Sequence, residues 1–206
     1  MIAIIDYGAG NLRSVANAVA SLGYEAVVTG NPDEVVKADA VILPGVGAAA
    51  DTVSSLKRHG LDSALREIIQ KDTPLFAVCV GLQVLFEETE EGGGCPCLGL
   101  LPGRVKLLPS DGLKVPHMGW NNVRQLKPHP LFEGIGDDRY FYFVHSYYAE
   151  PADASVVIGQ TSYGLDFASM VESGSVVATQ FHPEKSGPAG LKMYDNFLKT
   201  ALRGSK

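Results

Sequence analysis

The stretch Pro74-Leu75-Phe76-Ala77-Val78-Cys79-Val80-Gly81-Leu82-Gln83-Val84-Leu85-Phe86-Glu87 decides the fold. Pro74 to Val78 is an unbroken apolar run of strand length, and Gly81–Glu87 reads as the start of a helix, so a buried strand turns into a helix around Cys79. A sharp strand-to-helix turn pushes its central residue out at the carboxyl edge of a sheet. The helix amino terminus beyond it supplies free backbone N–H groups and a partial positive charge. Both favour a thiolate and can hold an oxyanion. A cysteine without this context would more often be a core residue, because free Cys is among the most buried residue types.

Outward from this turn, the first half of the chain alternates short apolar runs with amphipathic ones: Ile2–Ile5, Asn11–Leu22, Ala26–Val28, Ala40–Leu43 and Leu61–Gln70. That rhythm calls for parallel strands joined by crossover helices. The strands are almost continuously apolar, as in a sheet covered on both faces. Beyond residue 100 the runs Arg104–Leu107, Asn121–Arg124, Tyr140–Val144, Val156–Gln160, Phe167–Glu172 and Val176–Gln180 are joined by Gly, Pro and Asp turns, which adds antiparallel strands. From Ala189 to Leu202 apolar residues recur at helical spacing and the chain closes with an amphipathic helix. The predicted fold is α/β, a three-layer sandwich around a central, mostly parallel sheet with an added antiparallel portion.

With 206 residues, 46% of them hydrophobic and 19% charged, the chain can bury one full core, and a single domain over 1–206 is expected. The net charge of −6 and the absence of a Lys/Arg-dense block argue against nucleic-acid binding. Met1–Ile5 is too short for a signal-peptide core, and no later apolar run reaches the roughly 20 residues of a membrane span, so a soluble, cytoplasmic protein is expected. The three cysteines make no disulfide framework. Cys95-Pro96-Cys97 follows three glycines and could hold a metal or oxidise as a pair. No second ligand pair lies at finger-like spacing, so the segment reads as a surface loop and no metal is expected.

A second apolar strand ends at Gln180-Phe181-His182-Pro183-Glu184-Lys185. Pro183 fixes the chain direction after His182, and Glu184, two positions on, can accept the other imidazole N–H. That would fix the tautomer and stabilise the imidazolium formed when Cys79 gives up its proton. Leu43-Pro44-Gly45-Val46-Gly47-Ala48 follows another buried strand. It lacks the dinucleotide fingerprint, and its two glycines permit a closely approaching backbone that can flip.

Phe76–Gln83 together with Gln180–Glu184 resembles the class I, triad-type glutamine amidotransferases, which release ammonia from glutamine through a cysteine thioester. Asp6–Leu12, Pro44–Gly47, Pro116–Asn121, Tyr142–Tyr148 and Lys185-Ser186 extend the resemblance end to end, towards the glutaminase subunits of imidazole glycerol phosphate synthases in histidine biosynthesis. The resemblance implies Cys79 as nucleophile, His182 as proton relay and Glu184 as its orienter. It implies Val46, Gly47, Val80, Gln83, Ser146 and Tyr147 around the oxyanion and the substrate glutamine, and no cofactor. It implies a partner as well, a (β/α)8 cyclase subunit docked over the triad and forming a heterodimer, with Asn11, Pro116, Met118, Trp120 and Lys185 facing it. Ala77 stands where the family usually has Gly, and activity should survive unless that position needs positive φ. The alternatives are a glutaminase subunit for pyridoxal phosphate or aminodeoxychorismate synthesis, and a catalytically silent amidotransferase-like binding subunit.

Overall fold

A computed structural model describes residues 1–110 and 112–203. The first half runs β1 (Ile2–Ile5), α1 (Leu12–Ser21), β2 (Ala26–Thr29), α2 (Pro32–Val36), β3 (Ala40–Leu43), α3 (Ala49–Arg58), α4 (Leu61–Gln70), β4 (Leu75–Val78) and α5 (Val80–Gln83). The second half runs β5 (Glu88–Thr89), β6 (Cys95–Pro96), β7 (Gly103–Leu107), β8 (His117–Gln125), β9 (Arg139–His145), β10 (Tyr147–Pro151), β11 (Val157–Ser162), β12 (Asp166–Ser173), β13 (Val176–Thr179) and α6 (Gly187–Arg203).

Strand order along the sheet is β2-β1-β3-β4-β13-β12-β10-β7-β5-β6, and β11, β8 and β9 branch from β12. Pairing is parallel from β2 through β13 and antiparallel from β13 to β12, β10 and β7. The step from β1 to β2 goes one way along the sheet and the next two steps go the other. Right-handed crossovers therefore put α1 on one face and α2, α3 and α4 on the opposite face. The packing agrees: α2 and α3 lie against α4, while α1 lies against α6. Covered on both sides, β1, β3, β4 and β13 are buried at every position, which is why they read as unbroken apolar runs. The edge strand β2 departs from this, with Val27 and Val28 exposed.

Several segments differ from the reading of the sequence, which also held no counterpart of α2 or β5. The helix expected over Gly81–Glu87 is a single turn. The carbonyls of Val84, Leu85, Phe86 and Glu87 accept from Leu98, Leu100 and Leu101, Gly99, and Cys97 instead of from later helical amides. Cys97 belongs to that buried loop, so the Cys95-Pro96-Cys97 segment is not merely a surface loop. Helix α3 has no apolar periodicity to announce it, because its buried stripe, Ala49, Thr52, Val53 and Leu56, is made of small or polar residues at two of four positions. Strand β10 has no local boundary signal, because one residue, Ser146, separates it from β9, yet β9 pairs with β8 while β10 pairs with β7 and β12.

Candidate active site

Register brings the site together. Leu43 pairs with Ala77, and Ala178 and Thr179 pair with Ala77 and Val78, so the carboxyl ends of β3, β4 and β13 lie side by side. From them emerge Val46 and Gly47, Cys79, and Gln180 to His182. Ala77 lies inside β4 and is absent from the positive-φ residues, so its methyl group meets no backbone requirement for glycine. Cys79 has φ 55° and ψ −110°, a conformation that costs a non-glycine residue strain. Its N–H donates to the Thr179 carbonyl at 2.7 Å, and its own carbonyl accepts from Gln83 N–H at 3.2 Å. These bonds hold the turn that sets the buried Cys79 at the cavity. With only one helical turn behind it, the thiol has little macrodipole to draw on. What the turn offers is the amide of Val80, one of the first-turn donors that a helix leaves without an internal partner.

His182 Nδ1 lies 2.8 Å from Glu184 Oε1, and both side chains are buried. Burial alone would depress the imidazole pKa, but hydrogen bonds to Cys79 and Glu184 and their negative charge raise it to about 9. The backbone around this histidine is fixed on both sides. His182 N–H donates to the Tyr142 carbonyl at 2.9 Å, and Ser186 Oγ donates to the His182 carbonyl at 2.6 Å. From α6, Tyr194 faces Glu184, and its phenol pKa is raised well above 10, first by burial and then by that carboxylate.

Cys79 and His182 border a cavity of about 300 Å³, and Val46, Gly47, Val80, Gln83, Ser146 and Tyr147 border it too. Glu184 does not; it lies behind His182. Gln83 Nε2 donates to the Tyr147 carbonyl at 2.9 Å. Gly47 has φ 89° with nothing within 4 Å of where a Cβ would sit, so conformation rather than space favours glycine there. Among the residues named for the partner, Pro116 and Lys185 reach the cavity rim, whereas Asn11, Met118 and Trp120 lie outside it. Met118 and Trp120 are 63% and 56% exposed on the outward side of β8, and the Lys185 ammonium sits 5.9 Å from the Tyr142 ring. Asn11 opens α1 without a side-chain cap bond.

Glu91 and His145 also border the cavity and were not singled out from the sequence. Glu91 Oε2 accepts from Ala49 N–H at 2.6 Å, doing for α3 what its own cap residue, Ala48, cannot. Its only sequence signal was a charge within a glycine-rich stretch. His145 Nδ1 donates to the Tyr147 carbonyl at 2.8 Å, and its Nε2 accepts from His117 Nδ1 at 2.9 Å. Away from the cavity, the Cys97 thiol is pushed up to about 12, by burial first and then by neighbouring Cys95. No group of three or more potential metal ligands occurs among the described residues, and no described helix is long and apolar enough to cross a membrane.

The fold is that of a class-I glutamine amidotransferase. It superimposes on a crystal structure of a glutamine amidotransferase with a TM-score of 0.77 at 22% identity, covering 98% of this chain and 100% of the other. It superimposes equally well, with a TM-score of 0.77 at 19% identity and 97% coverage of each chain, on a chain from the structure of PurLQS from Thermotoga maritima. The profile of the family Glutamine amidotransferase class-I matches residues 3–201. Over all 206 residues, and the whole of its relative, the chain is 60% identical to imidazole glycerol phosphate synthase subunit HisH of Dehalococcoides mccartyi strain CBDB1. It is 53% identical to that of Moorella thermoacetica, covering 95% of this chain and 93% of the relative. It is 50% identical to that of Methanothermobacter thermautotrophicus, covering 97% and 98%. The chain belongs to the class-I glutamine amidotransferases, in the branch of imidazole glycerol phosphate synthase subunit HisH.

Proposed function

We propose that this chain is the glutaminase subunit of an imidazole glycerol phosphate synthase in histidine biosynthesis. It hydrolyses glutamine to glutamate and ammonia and hands the ammonia to a (β/α)8 cyclase subunit. The observation that carries the reading is the strained Cys79 turn sharing one cavity with a histidine whose far nitrogen is bonded to a buried carboxylate. Identity of 60% across the full length of a HisH subunit supports the choice of synthase.

In this mechanism the Cys79 thiolate attacks the side-chain amide carbon of glutamine. His182, held as an imidazolium by Glu184, gives its proton to the departing ammonia, which leaves a thioester on Cys79. The same imidazole then takes a proton from an incoming water, whose oxygen attacks the thioester; the carbon–sulfur bond breaks, and thiolate and glutamate result. Val80 N–H and a donor from the Val46–Gly47 segment bind the oxyanion, one such donor being worth about 10²–10³ in rate. Gln83 and the Ser146–Tyr147 backbone hold the glutamine. We assign the chain as one glutamine amidotransferase domain over 1–206, supported by its single continuous sheet; residues 111 and 204–206 of that span lie outside the described residues.

Free ammonia is mostly protonated at neutral pH and lost to solvent, so the acceptor site must lie close by. The partner surface in this reading is the outward face of β8 and β9 with Asn11, Pro116, Met118, Trp120 and Lys185, where exposed apolar side chains sit beside the cavity mouth. Lys185 forms no ion pair within the described residues, which leaves its charge for a partner carboxylate. The test is glutamate release by the chain alone, then with a histidine-pathway cyclase subunit, with and without its ribonucleotide substrate. Strong activation in the complete mixture is expected. Silence throughout, with the complex demonstrably formed, would overturn the reading.

A further inference from the structure

Gln180 is completely buried at the carboxyl end of β13, one position beyond the pair Thr179–Val78, and so sits beside Cys79. Its backbone N–H is already engaged, donating to the Ser169 carbonyl at 2.9 Å. Its side chain is what remains, and it is held between two polar groups. Nε2 lies 3.7 Å from Cys79 Sγ, and Oε1 lies 3.1 Å from Gln83 Nε2.

Donor and acceptor chemistry fixes which end of this amide faces the sulfur. The Tyr147 carbonyl can only accept, so the end of Gln83 that meets it at 2.9 Å must be the nitrogen. His145 Nδ1 reaches the same carbonyl at 2.8 Å, as a second donor. With the Gln83 nitrogen placed, the Gln180 atom bonded to it must be oxygen, and the opposite end of the Gln180 amide is an N–H donor aimed at Cys79. The orientation is dictated by a backbone carbonyl two side chains away from the nucleophile. The sulfur has two further polar neighbours: His182, the proton relay, and the Val144 carbonyl at 4.0 Å, which can only accept from the protonated thiol. Beside the proton-relaying His182, Gln180 is thus a neutral donor to Sγ whose hydrogen bond strengthens when the sulfur becomes negative.

We propose that Gln180 is a further catalytic residue of the glutaminase site, whose side-chain N–H donates to the Cys79 sulfur and stabilises its thiolate, both before attack on glutamine and when the thioester breaks. This rests on the assignment of Cys79 as nucleophile. The Gln83–Tyr147 pair, by setting the amide orientation, is the positioning element behind it.

The experiment uses the full chain with Gln180→Glu and Gln180→Leu, read by the rate of Cys79 alkylation by iodoacetamide as a function of pH, by the ultraviolet absorbance of the thiolate, and by kcat and KM for glutamine in the assembled complex. Glutamate is nearly isosteric and can still accept from Gln83 while presenting no amide donor to the sulfur, and Gln180→Leu removes the donor without burying a charge. Hydrogen bonds to charged groups are strong enough that alkylation of Gln180→Leu near neutral pH should fall about tenfold, and that of Gln180→Glu further. In both variants the loss should be recovered as the pH is raised, with kcat reduced and KM little changed. Alkylation profiles that superimpose on the parent's would overturn the proposal. So would a loss that raising the pH does not restore, because that marks a packing defect. Glutamine turnover by Cys79→Ala would instead overturn the assignment of the nucleophile, which keeps the two failures apart.

Discussion

Gly45, in the loop after β3, and Gly81, in α5, touch: a Cβ built on Gly45 would lie 2.1 Å from the Gly81 nitrogen, and one built on Gly81 would lie 2.6 Å from the Leu43 carbonyl oxygen. Gly81 is not needed for a left-handed backbone, because it is absent from the residues with positive φ. It is needed because two backbones meet where no side chain fits. The contact locks the segment proposed to carry one oxyanion donor, Val46–Gly47, against the turn that carries Cys79. Gly45→Ala should therefore cost well above the ~1–3 kcal/mol of ordinary overpacking, since the opposing atoms are main chain and cannot move aside. Urea denaturation of Gly45→Ala checks this, and a midpoint equal to the parent's would show that the loops separate freely. Gly47→Ala is limited by conformation rather than space, with φ 89° and open surroundings, and should cost about 1 kcal/mol.

Glu184→Gln separates orientation from charge at His182. Glutamine can still approach Nδ1, but it can present its nitrogen there and force the wrong tautomer, and it carries no charge to hold the imidazolium. A comparable change in a serine–histidine–aspartate site leaves the geometry intact and costs about 10⁴ in kcat. Glutamate release from the assembled complex should fall by about 10²–10⁴, with little change in KM. Tyr194→Phe, which removes the phenol facing the same carboxylate, should have a much smaller effect. A Glu184→Gln variant with parental kcat would remove Glu184 from the mechanism.

Much of this was legible in the residues. Strands β1 and β3 and helix α4 have the bounds their apolar patterns predict, because fully buried parallel strands and a strongly amphipathic helix leave unambiguous periodicities. The turn at Cys79 was legible for the same reason. Contacts made by a distant loop were not. The helix after Val80 stops at Gln83 because residues 97–101 take its carbonyls, and nothing local in Val84–Glu87 signals that. Gln180 was visible only as part of a motif; its contact with Cys79 follows from the register of β13 on β4, which no local pattern encodes. Glu91 caps α3 from 42 residues away, beyond the reach of any capping signature.

The histidines predict a stability maximum near neutral pH. His117 is held down to about 4 by burial, and His145 to about 3, by burial first and by the nearby His117 and His182. Tyr147's carbonyl acts the other way on His145 without prevailing. Both stay neutral in the folded protein at pH 5, whereas in the unfolded chain they take up protons below 6.5, the ordinary value. Stability should fall as the pH drops from 6.5 towards 5, with each proton contributing a limiting slope of about 1.4 kcal/mol per pH unit. His182 has the opposite sign. Its folded pKa is raised to about 9, so its contribution is fully present below 6.5 and is lost as the pH rises towards 9. Denaturant titrations at pH 5, 6.5 and 8.5 check the shape, and imidazole nitrogen NMR checks that His117 and His145 remain neutral at pH 5. A flat profile between 6.5 and 5 would contradict the neutral assignment.

Trp120 tests the partner surface. On β8 it stands opposite Tyr142 of β9, the rings 6.2 Å apart and nearly perpendicular, and Met118 stands opposite Val144. The inward residues of this ribbon, His117, Val123, Phe141 and Phe143, fill the core, so Trp120 packs within the chain only through its exposed edge-on contact with Tyr142. Trp120→Ala should therefore change the stability of the isolated chain by no more than about 0.5 kcal/mol. Large exposed aromatics at an interface centre, however, cost about 2 kcal/mol or more on truncation, which corresponds to roughly a thirtyfold weaker complex. Titration calorimetry with the cyclase subunit measures this, and undiminished affinity would move the interface off this face. In the proposed complex the position would bear on chemistry as well as on docking. The Tyr142 carbonyl accepts the His182 N–H at 2.9 Å, and the Tyr142 N–H donates to Ser186 Oγ at 3.0 Å. A partner that presses on Trp120 and Tyr142 thus bears directly on the backbone that carries His182. Loss of Trp120 should accordingly lower the activation of glutamate release even at cyclase concentrations that saturate the weakened complex.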